Sequence, residues 1–461
     1  MNFPGYQAYQ DTEVEWLGKV PAHWNMVPLK YLCSFSGGGT PAKENLEYWN
    51  GNIPWVSPKD MKLFDISNSI DKITAVAVKE SSTSLVEPGA LLMVVRSGIL
   101  QRTIPIGVNS VDVTINQDMK ALRFFASGFE QYFAYLIKGF ESSWLLEWRK
   151  QGATVESIEQ EYLESSLIPV PPVSDLVCVL AFLDHETAKI DTLIHEQKRL
   201  IELLKEKRQA VISHAVTKGL DPDVPMKDSG VEWFGEVPAH WTKKRLKNVS
   251  PFIAVGIVVN PSSYVAEDGL PFIYGGEVKE GYIDLSKTRK ISTLDSKKNK
   301  KTILETGDLV TMRVGYPGVT AIVPPSCEGG NCASVMLVKR GDFDSRWLCA
   351  VMNSRLIRRQ VEVVQYGAAQ KQFNIADAVE FWLLKPPQTE QAEIADFIAT
   401  KSAGFDQLMN KASQSMGLLA ERRSALISAA VTGKIDVRNW QPPADESAFE
   451  EVSRDGQEAT A

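Results

Sequence analysis

The five histidines are the side chains of this chain best suited to metal binding or proton transfer. No two of them have the HxxxH spacing that would place two imidazoles on one face of a helix. His23 and His240 occupy matching positions, each two residues after a proline and directly before a tryptophan. This setting is typical of a packed turn, so we interpret both histidines as structural and predict no metal site.

Two acid-x-lysine pairs could suggest a metal-dependent nuclease, Glu196 with Lys198 and Glu277 with Lys279. Neither pair has a convincing partner acid, and the first lies on the surface of a predicted helix. Nucleotide chemistry has as little support, because the chain contains no GxxxxGK[ST] loop and no GxGxxG after a strand. We therefore predict no catalytic residue.

Two double prolines, Pro171-Pro172 and Pro386-Pro387, could suggest the Pro-Pro loop of adenine methyltransferases. Such a loop needs an amide or carboxylate before the pair and an aromatic ring after it to stack a flipped base. Here the preceding residue is valine or lysine, and the following residue is valine or glutamine. The sequence therefore indicates a binding protein rather than an enzyme.

The elements that carry these residues occur twice. VEWLGKVPAHW (14–24) returns as VEWFGEVPAHW (231–241), with nine of eleven residues identical. LLKEKRQAVISHAVTKG (203–219) returns as LLAERRSALISAAVTGK (418–434), with ten identical positions. The chain is thus two copies of one unit of about 215 residues, and such a repeat determines the interpretation of the whole fold.

A further alignment concerns two arginines. GALLMVVRSG (89–98) aligns with GDLVTMRVG (307–315) when one residue is dropped, which places Arg96 opposite Arg313 after an apolar strand. We expect the two arginines to be equivalent.

Each copy begins with about 150 residues rich in glycine, proline and tryptophan, with short β-type runs between turn signals, which favours a mixed α+β domain. After each double proline comes a stretch of about 44 residues almost free of glycine and proline, which predicts a long helix. We divide the chain into globular domain 1–172, long helix 173–218, globular domain 219–387, long helix 388–434 and a disordered acidic tail 435–461.

Both predicted helices show a heptad-like seam with polar interruptions. Because two matched amphipathic helices favour mutual packing, we expect them to pair. The seam residues are Ile190, Leu193, Gln197, Leu200, Leu204, Lys207 and Val211 in the first helix, and Phe405, Leu408, Ala412, Ser415, Leu419, Arg422 and Leu426 in the second.

The net charge of −7 is unevenly distributed. The last 18 residues (444–461) carry six acids and one arginine, so the rest of the chain carries −7 + 5 = −2. Within it, SKTRKISTLDSKKNKKT (286–302) has seven Lys/Arg and one Asp. Either this segment is a solvated loop or it faces phosphates.

No apolar run approaches the roughly 18 residues that span a bilayer, and the first residues are neither basic nor apolar. The five cysteines are scattered, and Cys327 and Cys332 are the one close pair. With no second pair nearby they do not indicate zinc. We expect a reduced, cytoplasmic protein without a membrane partner.

With these repeats, further motifs make the family recognisable. They are SGGGTP (36–41), NGNIPW (50–55) and YGAAQKQFNI (366–375), the last ahead of the second double proline. In this order, and with the duplicated helix endings, the chain resembles the DNA-specificity subunits of Type I restriction–modification systems up to about residue 434.

The resemblance implies two target-recognition domains related by a pseudo-twofold axis and joined by two long antiparallel coiled-coil helices. Each domain would read one half of an interrupted DNA site. The helices would set the spacer and dock two modification (methyltransferase) subunits. S-adenosylmethionine would be bound by those subunits, and ATP and Mg²⁺ by two restriction (translocase) subunits where these are present. This chain itself would hold no cofactor.

Arginine, lysine, asparagine and glutamine are the usual major-groove readers, and basic residues contact phosphates. Our DNA-binding candidates are Lys59, Arg96, Arg102, Asn116 and Gln117 in the first domain, and Lys279, Lys287, Arg289, Lys290, Lys297, Arg313, Tyr316, Gln370 and Lys371 in the second. For each of them the alternative is an ordinary surface side chain or an ion pair that supports the sheet.

One loop departs from the family pattern. KQGATVESIEQEY (150–162) stands where the second copy has the Gln/Lys-rich QYGAAQKQFNI. Because the first is acidic, we do not assign it a DNA-contacting role. Two other functions remain open: a self-contained methyltransferase or nuclease, and a non-catalytic scaffold or silent specificity subunit of a modification-only system.

Overall fold

The computed structural model describes residues 3–152, 154–231, 233–367 and 370–442. They form two compact units. Unit 1 comprises the chain up to Glu196 together with the residues from Ser415 onward, and unit 2 comprises Gln197–Gln414. Each long helix begins in one unit and ends in the other, so neither unit is a complete copy of the sequence repeat.

The elements that begin in unit 1 are short except for one helix. In chain order its strands are β1 (Tyr9–Asp11), β2 (Lys19–Pro21), β3 (Asn25–Pro28), β4 (Cys33–Gly37), β5 (Trp49–Val56), β6 (Asp65–Ile66), β7 (Asp71–Ile73), β8 (Leu91–Val94), β9 (Ile106–Asn109), β10 (Thr114–Ile115), β11 (Met119–Phe124) and β12 (Leu167–Val170). Its helices are α1 (Ala75–Glu80), α2 (Phe129–Gly139), α3 (Glu141–Trp148), α4 (Gln160–Ser165) and the start of the long helix α5 (Val173–Lys218).

The main sheet of unit 1 has the strand order β4-β11-β8-β9-β6, and a second sheet has the order β10-β5-β7. Strand β8 lies in the middle of the main sheet and all four of its residues are buried, as expected for a strand covered on both faces. Helix α2 packs on this core through Phe129, Tyr132, Phe133, Leu136 and Ile137, whose spacing of three and four forms one apolar stripe.

Unit 2 repeats this architecture. Its strands are β13 (Met226–Asp228), β14 (Glu236–Pro238), β15 (Thr242–Arg245), β16 (Ile253–Val255), β17 (Val265–Ala266), β18 (Leu270–Ile273), β19 (Arg289–Ile291), β20 (Leu309–Met312), β21 (Thr320–Ile322), β22 (Asn331–Cys332), β23 (Val335–Val338) and β24 (Trp382–Lys385). Its helices are α6 (Thr293–Lys298), α7 (Ser345–Asn353), α8 (Arg355–Val364), α9 (Ile375–Ala378) and the start of α10 (Gln388–Val431).

The sheets of unit 2 have the orders β16-β23-β20-β21 and β17-β19-β18-β22. The first order matches β4-β11-β8-β9 of unit 1, and the run β19-β18-β22 matches β7-β5-β10. Helix α7 buries Trp347, Leu348, Val351 and Met352, and thus presents an apolar stripe to its core as α2 does. The internal repeat and the mixed α+β class with two long helices, both predicted from the sequence, are therefore confirmed.

The phase of the helical seam was predicted only in part. The buried or half-buried positions are Ile190, Ile194, Gln197, Ile201, Leu204, Arg208 and Val211 in α5, and Phe405, Met409, Ala412, Met416, Leu419, Arg423 and Leu426 in α10. The predicted Leu193, Leu200, Lys207, Leu408 and Arg422 are exposed instead, whereas Ser415 is half-buried. In α5 the doublets Leu193-Ile194 and Leu200-Ile201 make both phases apolar, so spacing alone could not separate them.

Within each unit the two long helices run in opposite directions. In unit 1, Arg423 of α10 forms a bidentate ion pair with Asp191 of α5 at 2.9 and 3.1 Å. Phe182, earlier on α5, contacts Trp440, which follows α10. In unit 2, the Arg208 guanidinium lies 3.6 Å from the Asp406 carboxylate. Gly219, just after α5, lies beside Glu390 in the first turn of α10.

The residues after α10 complete unit 1. Val437 is buried, and the Trp440 ring lies 5.3 Å from the Phe182 ring. The Asp436 amide donates to the Pro4 carbonyl at 2.7 Å. The prediction of a disordered tail is therefore wrong for residues 435–440, which are tied to unit 1. From 443 onward the predicted tail lies outside the described residues. No helix in the described ranges is long and apolar enough to cross a bilayer.

Two glycines of the C-terminal helix and its end test this architecture. Gly417 lies within α10, and no atom lies within 4 Å of the position that an added Cβ would take, so Gly417→Ala should stabilise the chain by about 0.5–1 kcal/mol. Gly433 has φ +63°, and an added Cβ would lie 2.3 Å from Pro21 Cγ. Gly433→Ala should therefore lower the free energy of unfolding of the chain by about 2 kcal/mol or more. Urea unfolding measures both, and equal effects would contradict this packing.

Candidate nucleic-acid interface

We call β8 of unit 1 and β20 of unit 2 the central strands. One loop in each unit lies against the end of its central strand. We call residues 150–158 edge loop 1 and residues 365–373 edge loop 2. In unit 1 the Ile158 amide donates to the Val95 carbonyl at 2.8 Å, and the Ser97 amide donates to the Glu156 carbonyl at 3.0 Å. These contacts place edge loop 1 directly beside Arg96, which continues β8.

Edge loop 2 makes the same contacts in unit 2. The Phe373 amide donates to the Arg313 carbonyl at 3.2 Å, and the Gly315 amide donates to the Lys371 carbonyl at 3.0 Å. Val314 and Gln372 form a bridge between the two segments. The two loops that the sequence places opposite each other therefore hold equivalent positions, each against the continuation of its central strand.

This register corrects the predicted equivalence of the two arginines. The pairs Ile158–Val95 and Phe373–Arg313 show that Arg313 corresponds to Val95, and that Arg96 corresponds to Val314. Strands β8 and β20 agree, because Val94 pairs with Met119 as Met312 pairs with Val335. No residue needs to be dropped from the alignment. Since neighbouring residues of a strand point to opposite faces, the two arginines have different roles.

Arg96 belongs to a polar cluster on the surface of unit 1. Its Nε lies 2.6 Å from Asp118 Oδ1, and its side chain is half exposed. Asn116 is 6% exposed and its amide lies 3.4 Å from the same carboxylate. Gln117 is exposed and contacts the Thr40 hydroxyl of the SGGGTP turn. The structure therefore brings together three of the five candidates of the first domain, with Asn116 turned inward.

The other two candidates of unit 1 lie apart from this cluster. Lys59 is exposed on the turn that follows β5. Arg102 is exposed at the end of a single helical turn, Gly98–Gln101, and lines a surface cleft together with Arg149 and Glu156.

Edge loop 1 neutralises its own charges. Glu156 pairs with Arg149 at 2.5 Å, and Glu159, just after the loop, pairs with Lys150 at 3.0 Å. The acids of this loop are therefore held by neighbouring cations and do not form a free negative surface. Its most exposed described apolar side chain is Val155, which is 49% exposed.

Edge loop 2 presents uncompensated polar groups. Gln370 and Lys371 are exposed, and in the described part of the chain Lys371 forms no ion pair. Tyr316 is 76% exposed one residue after Gly315, which is bonded to Lys371. Arg313 is half-buried and its Nε donates to the Phe373 carbonyl at 3.2 Å. Four candidates of the second domain thus lie together, Gln370 and Lys371 on edge loop 2, and Arg313 and Tyr316 on the strand continuation that it contacts.

The basic segment forms a second polar surface of unit 2, along β19 and α6. Arg289 lies over the Tyr274 ring at 4.3 Å, and Lys290 pairs with Asp268 at 3.0 Å. Lys287 and Lys297 are exposed and form no ion pair within the described ranges. Lys279 lies outside this segment and donates to the Gly276 carbonyl at 2.8 Å.

The one acid of the basic segment stays ionised. A hydrogen bond from the Ser292 hydroxyl, followed by one from Lys298, lowers the pKa of Asp295 below its ordinary value. Ser292 also caps α6, because its side chain accepts from the Asp295 amide at 3.1 Å. Asp295 is thus committed to the helix start and to Lys298, and it forms no ion pair with Lys287 or Lys297 within the described ranges.

Sequence reasoning missed the correspondence between individual loop residues. Counting back from Ile158 and Phe373, Glu156 corresponds to Lys371 and Val155 to Gln370. Gly152 and Gly367 also correspond, and both have positive φ, at 74° and 99°. These two glycines lie 215 positions apart, and they are the signal that could have anchored the alignment. Equivalent loop positions therefore carry opposite charge.

Among the described residues no group of three or more His, Cys, Asp or Glu side chains could hold a metal ion. His23 and His240 each lie 2.8 Å from a single carboxylate, Asp175 and Glu390.

The family model matches most of the first part of unit 1 and the first residues of unit 2. Residues 21–209 match the family model of the Type I restriction modification DNA specificity domain. The specificity subunit of the Escherichia coli Type I restriction enzyme EcoR124I/EcoR124II is 32% identical over 231 residues, which cover 50% of this chain and 49% of that subunit. The specificity subunit of the Type I restriction enzyme MjaIX from Methanocaldococcus jannaschii is 23% identical over 443 residues, covering 93% of this chain and 96% of that subunit.

This chain thus spans about half the length of the first relative and nearly all of the second. The fold is also similar to a solved chain from work on complex assembly and conformational transition of the type I R-M system. That likeness covers 90% of this chain and 99% of the other, with a TM-score of 0.66 at 14% identity. It establishes the fold.

The corrected register makes a prediction about the two arginines. Arg313→Ala removes the side-chain hydrogen bond to Phe373 that supports edge loop 2 beside its backbone bonds, so it should cost about 1 kcal/mol and speed amide exchange at Gln372 and Phe373. Arg96→Ala removes an exposed ion pair and should cost at most about 0.5 kcal/mol. Urea unfolding and hydrogen exchange of the full chain measure these effects. Equal costs, with unchanged exchange at edge loop 2, would contradict the assignment.

Proposed function

We propose that this chain, whose residues 21–209 match the family model of the Type I restriction modification DNA specificity domain, is a specificity subunit of a Type I restriction–modification complex. In this role it binds double-stranded DNA and recognises a bipartite, interrupted sequence, one half with each unit. The chain carries out no reaction itself and directs the modification subunits to their site.

The observation that carries this proposal is one scaffold with two different surfaces. Both units place an edge loop against the same end of the central strand through the same backbone hydrogen bonds. At equivalent positions, however, unit 1 has Val155 and Glu156, whereas unit 2 has Gln370 and Lys371. Amide and cationic side chains favour adenine and guanine, whereas an apolar side chain favours the thymine methyl group. Two such surfaces suit two unlike half-sites.

The basic segment supplies the part of binding that does not depend on sequence. Lys287, Arg289 and Lys297 are exposed along one surface of unit 2 and are suited to phosphate contacts. Such contacts set the position of the protein on the duplex, and the edge loop then reads bases. This division explains a net negative chain that nevertheless binds DNA, since the local charge decides the contact.

The partners follow from the same proposal. Two modification subunits bind the chain, one toward each half-site, and carry the S-adenosylmethionine that the methylation requires. Restriction subunits, where the system has them, carry ATP and Mg²⁺. The two antiparallel helices are the parts shared by both units, and we assign to them the docking of identical partners and the spacing of the half-sites.

Selection of duplexes with a randomised core tests this function on the chain assembled with its modification subunits. The proposal expects two specific half-sites separated by a spacer of fixed length and free sequence. Enrichment of one continuous motif would contradict the division between units. Absence of any enrichment, in a complex that still assembles, would identify the chain as a scaffold or a silent specificity subunit.

The basic segment gives a separate prediction. Replacing Lys287, Lys297 and Lys301 together by Gln should weaken binding of every duplex alike and reduce the salt dependence by about 0.9 in log–log slope for each phosphate that is no longer neutralised. Replacing the same three lysines by Arg keeps the charge and is the matched control. Binding titrations over a range of salt concentrations measure both. An altered base preference at unchanged slope would show that these residues read bases.

A further inference from the structure

The eleven-residue motif that opens each unit holds a carboxylate in the first turn of a long helix. In unit 1, Asp175 belongs to the first turn of α5 and is 3% exposed. Trp24 Nε1 donates to its Oδ2 at 3.2 Å, and His23 Nε2 lies 2.8 Å from the same oxygen. The Ser174 hydroxyl donates to the other oxygen, Oδ1, at 3.2 Å. Both carboxylate oxygens are therefore bonded.

Unit 2 contains the same arrangement with a longer side chain. Glu390 lies in the first turn of α10 and corresponds to Asp175, 215 positions away. Trp241 is fully buried, and its Nε1 lies 3.0 Å from both oxygens of Glu390. His240 Nε2 lies 2.8 Å from Oε2. Glutamate and aspartate thus fit the same site.

Each motif also contacts the end of the other long helix. A Cβ on Gly433, just after α10, would lie 3.3 Å from the Trp24 ring and 2.3 Å from the Pro21 ring. A Cβ on Gly219, just after α5, would lie 3.4 Å from the Trp241 ring. Both glycines have positive φ, so each helix ends in a conformation that favours glycine at this contact. In each unit one motif thus touches the start of one long helix and the end of the other.

A buried carboxylate needs fixed partners, because desolvation of the charge is costly unless hydrogen bonds offset it. Burial raises the pKa of Asp175, but hydrogen bonds from His23 and Trp24 outweigh burial, so the pKa lies below its ordinary value. Tyr6 and the ion pair of Arg438 with Asp436 enclose the same site. A site of this kind has one favourable geometry, so it fixes the direction in which the helix leaves the unit.

We propose that His23, Trp24 and Asp175, and their counterparts His240, Trp241 and Glu390, are positioning residues that set the spacer length of the DNA site. This inference rests on the proposed function. The protein can discriminate between spacer lengths only if each unit is held rigidly to the long helices. Lengthening a spacer by one base pair moves a half-site by about 3.4 Å and rotates it by about 35° around the duplex. Rigid attachment rejects such a change, whereas loose attachment tolerates it.

The test uses the full chain assembled with its modification subunits. Its probes are duplexes that carry the selected half-sites at the preferred spacer, or at a spacer one base pair shorter or longer. Asp175→Ala removes the acceptor for Trp24 and His23. Asp175→Glu keeps it with the side chain that unit 2 uses. Ser166→Ala is the control, because it removes the buried acceptor of Trp148 Nε1 (2.7 Å) within unit 1 without touching either helix.

The inference expects wild type, Asp175→Glu and Ser166→Ala to bind the altered spacers at least about tenfold more weakly than the preferred one. Asp175→Ala should reduce this difference to less than about threefold and should leave binding to a duplex with one half-site unchanged. The inference would be overturned if Asp175→Ala still bound the altered spacers as weakly as wild type does. It would also be overturned if Ser166→Ala lost the preference for the original spacer to the same extent as Asp175→Ala. If wild type selects no bipartite site, the proposed function fails instead, so the two failures are distinguishable.

Discussion

The structure depends on one hydrogen-bonded contact that is made twice, a carboxylate in the first turn of each long helix, held by a tryptophan and a histidine from the motif that opens the unit. Its carboxylate is buried in unit 1 (Asp175) and half-buried in unit 2 (Glu390). The cost of burying the charge is offset only in one arrangement of donors. That requirement accounts for the strictness of the repeat, because few changes near Trp24 or Trp241 would preserve the contact. The globular parts vary around it.

The proposed function rests on this combination of a fixed frame and variable loops. Strand order, the buried central strand and the backbone contacts of the edge loops are common to both units. The side chains that the edge loops expose are not, since Glu156 pairs with Arg149, just before its loop, whereas Lys371 is free of ion pairs in the described ranges. A duplicated frame with unlike surfaces is suited to the proposed recognition of two unlike half-sites.

The sequence was sufficient for the repeat, the fold class and the long helices, because identical stretches and long runs without glycine or proline are strong signals. It was insufficient for the register of Arg96 and Arg313, where a gap of one residue reverses the face of every later side chain. The predicted phase of the helical seam was partly wrong, because neighbouring apolar residues such as Leu193 and Ile194 fit either of two heptad phases. The partner of Trp24 could not be found at all, since Asp175 lies 151 positions away and resembles any helical acid.

A base-resolved methylation map of the host genome, with and without this gene, tests the central claim most directly. The account predicts that a two-part, interrupted motif with modified adenines disappears on deletion and returns when the gene is restored. The proposed function would be contradicted if the same positions stayed modified after deletion while the modification subunit is still expressed. Another protein would then recognise the DNA sequence.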